Sequence, residues 1–533
     1  MSPTFTNPVK WEDLPDPEVL RVGHTYYLSA SSFHFSPGAP ILKSDDLVNW
    51  EYAGHSVPEL PPSRRFSLDG KQPTAYGKGV WASTLKYRDS EGLFYLYSPI
   101  QGTDKTYVYT AKSPGDIWAA HPPIERFYYD PGLLIDDDDT MYIAHGTKTI
   151  QVAQLSPDGL TEVASKVVHV SEDFIEGARM YKIQGTYYIW VTKSADTQRM
   201  LKSTTGPFGP FEARDIVTEM RSPLAGAGPP HQGGLVDTPN GQWYYMSFTD
   251  AYPAGRVPLL APVSFDSEGW PTVEGDYSDP KGRWLLDYPT LVALGDQRSN
   301  LNTCFRRHEF NQPTLEHCWE WNHNPDNSKW STQEGQIVLK TGTITKCLHL
   351  ATNTLTHRTI GPGSIATFCM DTSKMRDGDR AGISMFRDES AYIGIHRDGE
   401  NPKLVYVDSI RTGPIDAPVG FMNGRPAALD WKCISPGSVG AETPLGGDQV
   451  WLRITVDLRA AGILGFGRNP NNATFEYSYD GREFTQLGPT YQLSTSTAGY
   501  VGYRFGLFNF ATLGLGGEVR VRSCDLQMWN PTS

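Results

Sequence analysis

A turn followed by a strand rich in aromatic residues recurs five times in the first ~290 residues. Gly, Asn and Asp accept the backbone dihedrals of tight turns, and paired aromatic side chains favour a packed, pleated strand. The copies start about 45 to 70 residues apart, which is the period of β-propeller blades of about four strands each. They are GHTYYLSA from Gly23, SEGLFYLY from Ser90, DDDTMYIA from Asp137, QGTYYIWV from Gln184 and NGQWYYMS from Asn240.

A second shared feature favours a five-bladed propeller over a generic β-sandwich whose hairpins look alike. About a dozen residues before each aromatic run stands a residue able to do chemistry or to contact a ligand. In a propeller the innermost strands of all blades run along one channel, so equivalent positions meet at one mouth of that channel. Three of the five are acidic and are expected to share a pocket. The five residues are Asp16, Trp81, Asp130, Glu176 and His231.

Beyond about residue 300 the pattern changes to longer strands in which apolar and polar residues alternate. QVWLRITVDL from Gln449 is one example, and ATFEYSYDGREFTQLG from Ala473 contains the hairpin turn Asp480-Gly481. This pattern predicts a β-sandwich. We therefore predict an all-β chain, with a five-bladed propeller over residues 1–295 and a β-sandwich (jelly-roll) domain over residues 303–533.

The composition agrees with a turn-rich β protein and excludes several kinds of partner. The chain has 533 residues, with 52 Gly, 40 Pro and 12% aromatic residues. A net charge of −13 argues against a nucleic-acid partner, and no apolar run approaches the ~20 residues of a membrane span. MSPTFTNPVKW at the start lacks the apolar core of a signal peptide. We expect an extracellular protein whose signal is absent from this chain; a cytoplasmic location is the alternative.

All six cysteines lie beyond residue 300. None shows metal-ligand spacing such as CxxC, so a zinc site is not expected from the sequence. The even number leaves both disulfides and buried free thiols open. The cysteines are Cys304, Cys318, Cys347, Cys369, Cys433 and Cys524.

Three carboxylates in one pocket suit glycoside hydrolysis, in which one carboxylic acid protonates the leaving oxygen and one carboxylate activates water. Glu176 follows Phe174 and Ile175, and apolar surroundings raise a carboxyl pKa, so Glu176 suits the acid. Asp16, between two prolines, suits the base. Asp130 would supply a nearby charge and orient Glu176. A calcium site fits less well, because its ligands usually cluster within one loop. A lectin, whose carboxylates only hydrogen-bond sugar hydroxyls, is a further alternative.

Around these carboxylates the chain resembles glycoside hydrolase family 43, whose catalytic domain is a five-bladed propeller. The match covers nearly the whole chain, and the stretches follow one another in the family's order. They are DPEVLRVGHTYYLSASSFHFSPGAPILKSDDLVNWE from Asp16, YYDPGLLIDDDDTMYIAHG from Tyr128, IEGARMYK from Ile175, HQGGLVDTPNGQWYYMSF from His231 and AGRVPLLAPVSFDSEGWP from Ala254.

The resemblance implies an inverting, single-displacement mechanism that needs no cofactor for its chemistry. It places the general base on Asp16, the general acid on Glu176 and the carboxylate that modulates the acid's pKa and orients it on Asp130. The family's axial histidine, which can hold a Ca²⁺ ion through water, falls on His231.

The resemblance also implies a sugar subsite and a substrate. Arg256 matches the arginine that hydrogen-bonds the sugar, Trp81 and Phe33 match the aromatic walls, and His34 is a further candidate. The second domain resembles the family's accessory sandwich; a carbohydrate-binding module is the competing interpretation.

The finer resemblance is to α-L-arabinofuranosidases that release arabinose from arabinoxylan, including O3-linked arabinose on doubly substituted xylose. Pro17 departs from that branch, because Asp-Pro is usual in xylosidases. The alternative is therefore an exo-acting β-xylosidase on xylo-oligosaccharides.

Overall fold

The computed structural model describes residues 4–289, 304–415, 421–422, 425–426, 430–461 and 471–531. It confirms the predicted five-bladed propeller followed by a sandwich. The predicted boundary between residues 295 and 303 lies outside the described residues.

Each blade is an antiparallel sheet whose strands follow chain order from the channel outwards, and the predicted aromatic runs form the strand next to the innermost segment. Blade 1 contains Glu18–Val22, Thr25–Ser29, Gly38–Ser44 and Glu51–Val57; blade 2 Gly79–Val80, Thr84–Arg88, Leu93–Gln101, Lys105–Ala111 and Ala119–Ala120; blade 3 Gly132–Ile135, Met141–His145, Thr149–Leu155 and Glu162–Val170; blade 4 Ile175–Ile183, Thr186–Lys193, Thr197–Ser203 and Glu212–Thr218; blade 5 His231–Asp237, Trp243–Asp250, Arg256–Phe265 and Pro271–Val273. Thr4–Thr6 pairs with Asp287–Pro289.

The inner strands pack so closely that some positions accept only glycine. At Gly132, the first residue of blade 3, an added Cβ would lie 2.1 Å from the carbonyl oxygen of Ala178 in blade 4. Apolar residues from neighbouring blades fill the spaces between the sheets, as in the cluster that joins Trp190 to Tyr245. This close packing gives the residues at the inner strand ends defined positions.

The second domain consists of two large antiparallel sheets that face each other across an apolar core. Sheet A contains, in spatial order, Trp330–Gln333, Gln336–Lys340, Glu518–Met528, Gly363–Asp371, Gln449–Asp457, Asn472–Ser478 and Thr485–Gln486, with Arg307–His308 and Tyr491–Gln492 paired alongside. Sheet B contains Trp431–Pro444, Lys403–Pro414, Glu389–His396, Asp379–Phe386, Arg504–Ala511, Leu355–Arg358, Trp319–Asn322 and Phe35–Ser36. Short elements are the hairpin Phe421–Met422 with Arg425–Pro426, the helix Arg64–Ser67 and the 3₁₀ turns Leu348–Leu350 and Ala498–Tyr500.

The two domains share one sheet. Phe35–Ser36 comes from blade 1 but forms the edge strand of sheet B, where it pairs with Trp319–Asn322. Beside this joint the buried carboxylate of Glu320 pairs with Arg358 at 2.7 Å and Arg504 at 2.5 Å, and lies 3.0 Å from His55 of the propeller. A buried carboxylate with several such partners is strongly oriented. The sandwich is therefore held in one position against the propeller.

A disulfide joins Cys347 to Cys433, and the other four cysteines are free and buried. The even cysteine count left disulfides and buried free thiols open, and this domain contains both. Among the described residues, no helix has the length and apolar character needed to cross a membrane.

Candidate active site

The three predicted carboxylates come together at one end of the propeller channel. Asp16 and Asp130 each stand two residues before the first strand of their blade, and Glu176 is the second residue of its strand. The charges of Asp16 and Glu176 both raise the pKa of Asp130, which places the three groups within electrostatic reach of one another. The repeat pattern predicted that these carboxylates lie close together, because the inner strands of all five blades have the same end at this mouth of the channel.

Asp16 is held between two donors. The hydroxyl of Ser31 donates a hydrogen bond to Oδ2 at 2.6 Å, and the guanidinium of Arg256 lies 2.8 Å from Oδ1. The backbone of Asp16 is left-handed, with φ of +54°, a conformation that aspartate tolerates better than most residues. These two contacts fix the orientation of both carboxylate oxygens of Asp16.

Glu176 has an environment that favours its protonated form. It is partly exposed to the pocket, and its Oε2 accepts a hydrogen bond from the hydroxyl of Tyr129 at 2.8 Å. Burial, and after it the negative charge of Asp16, raises the pKa of Glu176 to about 7, although Tyr129 and Arg256 act in the opposite direction. Glu176 can therefore hold a proton near neutral pH.

Asp130 is the most deeply placed of the three. Its Oδ2 accepts a hydrogen bond of 3.3 Å from the amide of Gln232, and its pKa lies well above the usual range because of burial and the charges of Glu176 and Asp16. Such interactions are reciprocal, so Asp130 and Glu176 titrate as a pair.

Several residues around this pocket have left-handed backbone conformations. Strained positions of this kind persist where the surrounding structure fixes them, and they are frequent at functional sites. The residues with positive φ here are Asp16, Phe33, Asp130, Gln232 and Tyr500.

Arg179, which the sequence patterns did not single out, ties the inner strands together. Its side chain is 1% exposed and forms an ion pair of 2.5 Å with Glu18 of blade 1. It also donates to the carbonyl oxygens of Ser83 at 2.7 Å, Pro131 at 2.8 Å and Asp16 at 3.2 Å. One side chain from blade 4 thus connects to blade 1 and to the segments of blades 2 and 3 that approach the pocket. No periodic signal marks it, because its partners are distant in sequence.

The predicted aromatic wall contains a third ring that comes from the sandwich. Phe33 and Trp81 lie edge to face with centroids 6.4 Å apart, and Tyr500 stacks on Phe33 at 6.1 Å and lies 6.0 Å from Trp81. The backbone oxygen of Tyr500 also accepts a hydrogen bond of 3.4 Å from Arg256. The second domain therefore contributes directly to the pocket, and Tyr500 is a site residue that the sequence patterns missed.

Arg256 is placed by its backbone as well as by its charge. Its amide donates to the carboxylate of Asp13 at 2.8 Å, and the other oxygen of Asp13 accepts the amide of Gly502 from the sandwich at 2.9 Å. Its guanidinium lies over the ring of Phe248 at 5.0 Å. This arrangement links the arginine to both domains.

His34 and His231 occupy different surroundings. The ring of His34 is 2% exposed, and it packs against Phe35 at 4.3 Å and Tyr76 at 4.6 Å near the domain joint. Burial holds its pKa well below the usual range, so it is neutral. Its role in sugar binding stays a prediction.

His231 begins blade 5, and its Nδ1 donates to the carbonyl oxygen of Pro229 at 2.9 Å. Ca²⁺ prefers six to eight oxygen ligands. Among the described residues, no group of three His, Cys, Asp or Glu ligand atoms includes His231. An ion held through water stays a prediction.

Two family models together match most of the chain. The model of the glycosyl hydrolases family 43 matches residues 5–271, and that of the β-xylosidase C-terminal concanavalin A-like domain matches residues 307–521. These ranges coincide with the propeller and the sandwich.

Curated and solved relatives agree with these matches. A putative β-xylosidase of Xylanibacter ruminicola is 29% identical over 99% of this chain and 90% of its own length. A non-reducing end α-L-arabinofuranosidase of Bacteroides ovatus is 28% identical over 63% of this chain and 65% of its own. A solved family 43 structure, described as engineered in its active site to display both endo-xylanase and exo-arabinofuranosidase activity, is 44% identical over 99% of this chain and 100% of that one, with a TM-score of 0.91. The chain belongs to glycoside hydrolase family 43 and combines the family's propeller domain with its C-terminal sandwich.

Proposed function

We propose that this glycoside hydrolase is an inverting α-L-arabinofuranosidase that releases arabinose side chains from arabinoxylan, including O3-linked arabinose on doubly substituted xylose. The observation that carries the proposal is the full-length similarity, at 44% identity, to the family 43 enzyme whose engineered active site is described as displaying exo-arabinofuranosidase and endo-xylanase activity. The pocket supports it with a cationic side chain and aromatic rings that can hold one terminal sugar against the carboxylates.

The different environments of the three carboxylates support the proposal of a single displacement. Asp16, ion-paired with Arg256, would accept the proton of an attacking water. Glu176, whose pKa is raised to about 7, would donate its proton to the leaving oxygen. Asp130, which accepts a hydrogen bond from Gln232 and titrates together with Glu176, would modulate the pKa of the acid and help to orient it. All three residues carry the same carboxyl group, and the different surroundings of each carboxyl determine whether it acts as acid or as base.

A second candidate is an exo-acting β-xylosidase. Relatives in Xylanibacter ruminicola and Formosa agariphila, 29% and 27% identical, are named as a putative β-xylosidase and a β-xylosidase. Asp16 is followed by Pro17, the dipeptide that is usual in xylosidases.

Product analysis separates the two candidates. The chain is incubated with singly and doubly arabinosylated xylo-oligosaccharides and, separately, with linear xylo-oligosaccharides; released sugars are measured by anion-exchange chromatography. We expect arabinose from the branched substrates at a rate at least ~100-fold above xylose from the linear ones, because a pocket shaped for one sugar gains its transition-state contacts only with that sugar. Xylose as the main product from both substrates would establish the β-xylosidase instead.

Activity is expected to fall as the pH rises through about 7. Glu176 must be protonated to act as the acid, and burial raises its pKa to about that value, so its proton is lost on the alkaline side. The measurement is kcat/KM for an arabinosylated oligosaccharide from pH 4 to 9. In Glu176→Gln the alkaline decline should disappear for substrates with an activated leaving group. An unchanged decline in that variant would assign it to another residue.

Replacing Tyr500 with alanine is expected to raise KM about tenfold with a smaller change in kcat. The ring stacks on Phe33 and borders Trp81, and aromatic contacts of this kind contribute about 0.5–1.5 kcal/mol each. Steady-state kinetics give both constants. Tyr500→Phe keeps the ring and should resemble the wild type; an alanine variant with unchanged KM would remove the sandwich from the sugar subsite.

A further inference from the structure

Sulfur and nitrogen ligands meet inside the sandwich. His308 lies in sheet A, His357 lies in sheet B, and Cys318 directly precedes Trp319–Asn322 of sheet B. One ligand atom from each of these residues lies within 4.8 Å of the other two. The three residues are at most 2% exposed. Such a set is unusual in an apolar core, because buried polar groups are nearly always hydrogen-bonded.

Each of the two histidines has one ring nitrogen that makes no hydrogen bond. Nε2 of His308 lies 2.8 Å from the carbonyl oxygen of Cys304, and Nδ1 of His357 lies 2.7 Å from that of Arg358. Carbonyl oxygens only accept, so these nitrogens carry the protons. The remaining atoms, Nδ1 of His308 and Nε2 of His357, are buried and make no hydrogen bond. Histidines that bind metals typically donate their other N–H to a carbonyl in this way.

A second cysteine completes the group. The side chain of Cys304 lies against those of Cys318 and His357. The thiolate is the form of cysteine that binds metals. At the edge of the cluster, Glu316 places a carboxylate oxygen 3.4 Å from Nδ1 of His308, which adds negative charge favourable to a cation.

We propose that His308, Cys318, His357 and Cys304 bind a structural zinc ion between the two sheets of the sandwich. Two thiolates and two imidazoles form a common tetrahedral zinc set, and their softness excludes calcium and magnesium. With bonds of about 2.0–2.3 Å, tetrahedral ligand atoms lie about 3.3–3.8 Å apart. The ligand atoms of His308, Cys318 and His357 already lie within 4.8 Å of one another, so a modest approach would bring them to this spacing. Both thiols release their protons when the metal binds. A set of four protein ligands leaves no open position, so the ion has a structural role.

The ion would stabilise the domain joint as well as the sandwich. Arg358, next to His357, donates to the carbonyl oxygen of Asp13 at 2.9 Å and pairs with Glu320 at 2.7 Å. Asp13 in turn holds the amides of Arg256 and Gly502. The metal thus lies next to the residues that connect the sandwich to the pocket.

The test uses the purified full-length chain. Metal is measured by mass spectrometry after dialysis against metal-free buffer, and cobalt(II) is then titrated into the reduced, chelator-stripped protein. We expect about one zinc per chain and, with cobalt, the charge-transfer absorption of thiolate ligands and the visible bands of a tetrahedral ion. Four thiols should react in the denatured protein once a chelator is present.

Variants localise the site. Cys318→Ser and His357→Gln should weaken metal affinity at least 100-fold, whereas Cys369→Ser, which removes a buried cysteine elsewhere in sheet A, should retain one equivalent. If the cluster variants do not fold, the cobalt spectrum of the wild type shows whether thiolate ligands bind the metal. Two reactive thiols without metal would indicate a Cys304–Cys318 disulfide and overturn the proposal. So would the absence of thiolate absorption in the reduced wild type, or equal zinc content in Cys318→Ser and Cys369→Ser.

Discussion

Replacing Asp16 with alanine is expected to lower kcat by about four orders of magnitude. Asp16 is the carboxylate that Ser31 and Arg256 orient, and removing it leaves no described group in its place to take the proton of the attacking water. General base catalysis contributes about 10²–10⁴-fold, and the unpaired arginine left in the pocket adds to the loss. The measurement is kcat on an arabinosylated oligosaccharide, with sugar binding followed separately by calorimetry.

Ser31→Ala is the matched control for Asp16→Ala. It removes the hydrogen bond of 2.6 Å to Oδ2 but keeps the base, so we expect a loss of about tenfold, which is the size of one hydrogen bond's contribution. Thermal unfolding of both variants establishes that they are folded. An Asp16→Ala enzyme that retains one per cent or more of the wild-type kcat would exclude Asp16 as the base.

Replacing Glu176 with glutamine is expected to lower kcat/KM about 10³-fold on oligosaccharides while sugar binding persists. The glutamine keeps the size of the side chain and the hydrogen bond from Tyr129, but it has no acidic proton for the leaving oxygen. Aryl glycosides with good leaving groups need little protonation, so on them the loss should be about tenfold or less. Kinetics on both substrate types give the dependence on the leaving group.

The control for this variant is Glu172→Gln, which changes an exposed glutamate four positions earlier in the chain. It should behave as the wild type on both substrates. Equal losses of Glu176→Gln on oligosaccharides and aryl glycosides would show that Glu176 does not act as the general acid. Unchanged activity on both would place it outside the mechanism.

The sequence pattern determined the fold and the meeting of the carboxylates. Five turn-and-aromatic units predicted five blades, and the same register placed Asp16, Asp130 and Glu176 at equivalent inner-strand ends. This worked because a propeller repeats one local design around an axis, so position within a repeat also gives position in space. Alternation beyond residue 300 predicted the sandwich for a similar reason: a half-buried strand has a period of two residues.

The tertiary structure alone decided the contacts that join distant parts of the chain. Tyr500 enters the pocket from the sandwich, Arg179 ties the inner strands to one another, and Phe35 and Ser36 leave blade 1 to extend sheet B.

The cysteine and histidine cluster also depends on contacts between distant parts of the chain. Spacing gave no zinc motif, yet His308 and His357, 49 positions apart, face each other across the two sheets with Cys318 between them in sequence. Periodicity records which face of an element is buried, whereas these contacts depend on how whole sheets and domains pack, and that packing leaves no regular interval in the chain.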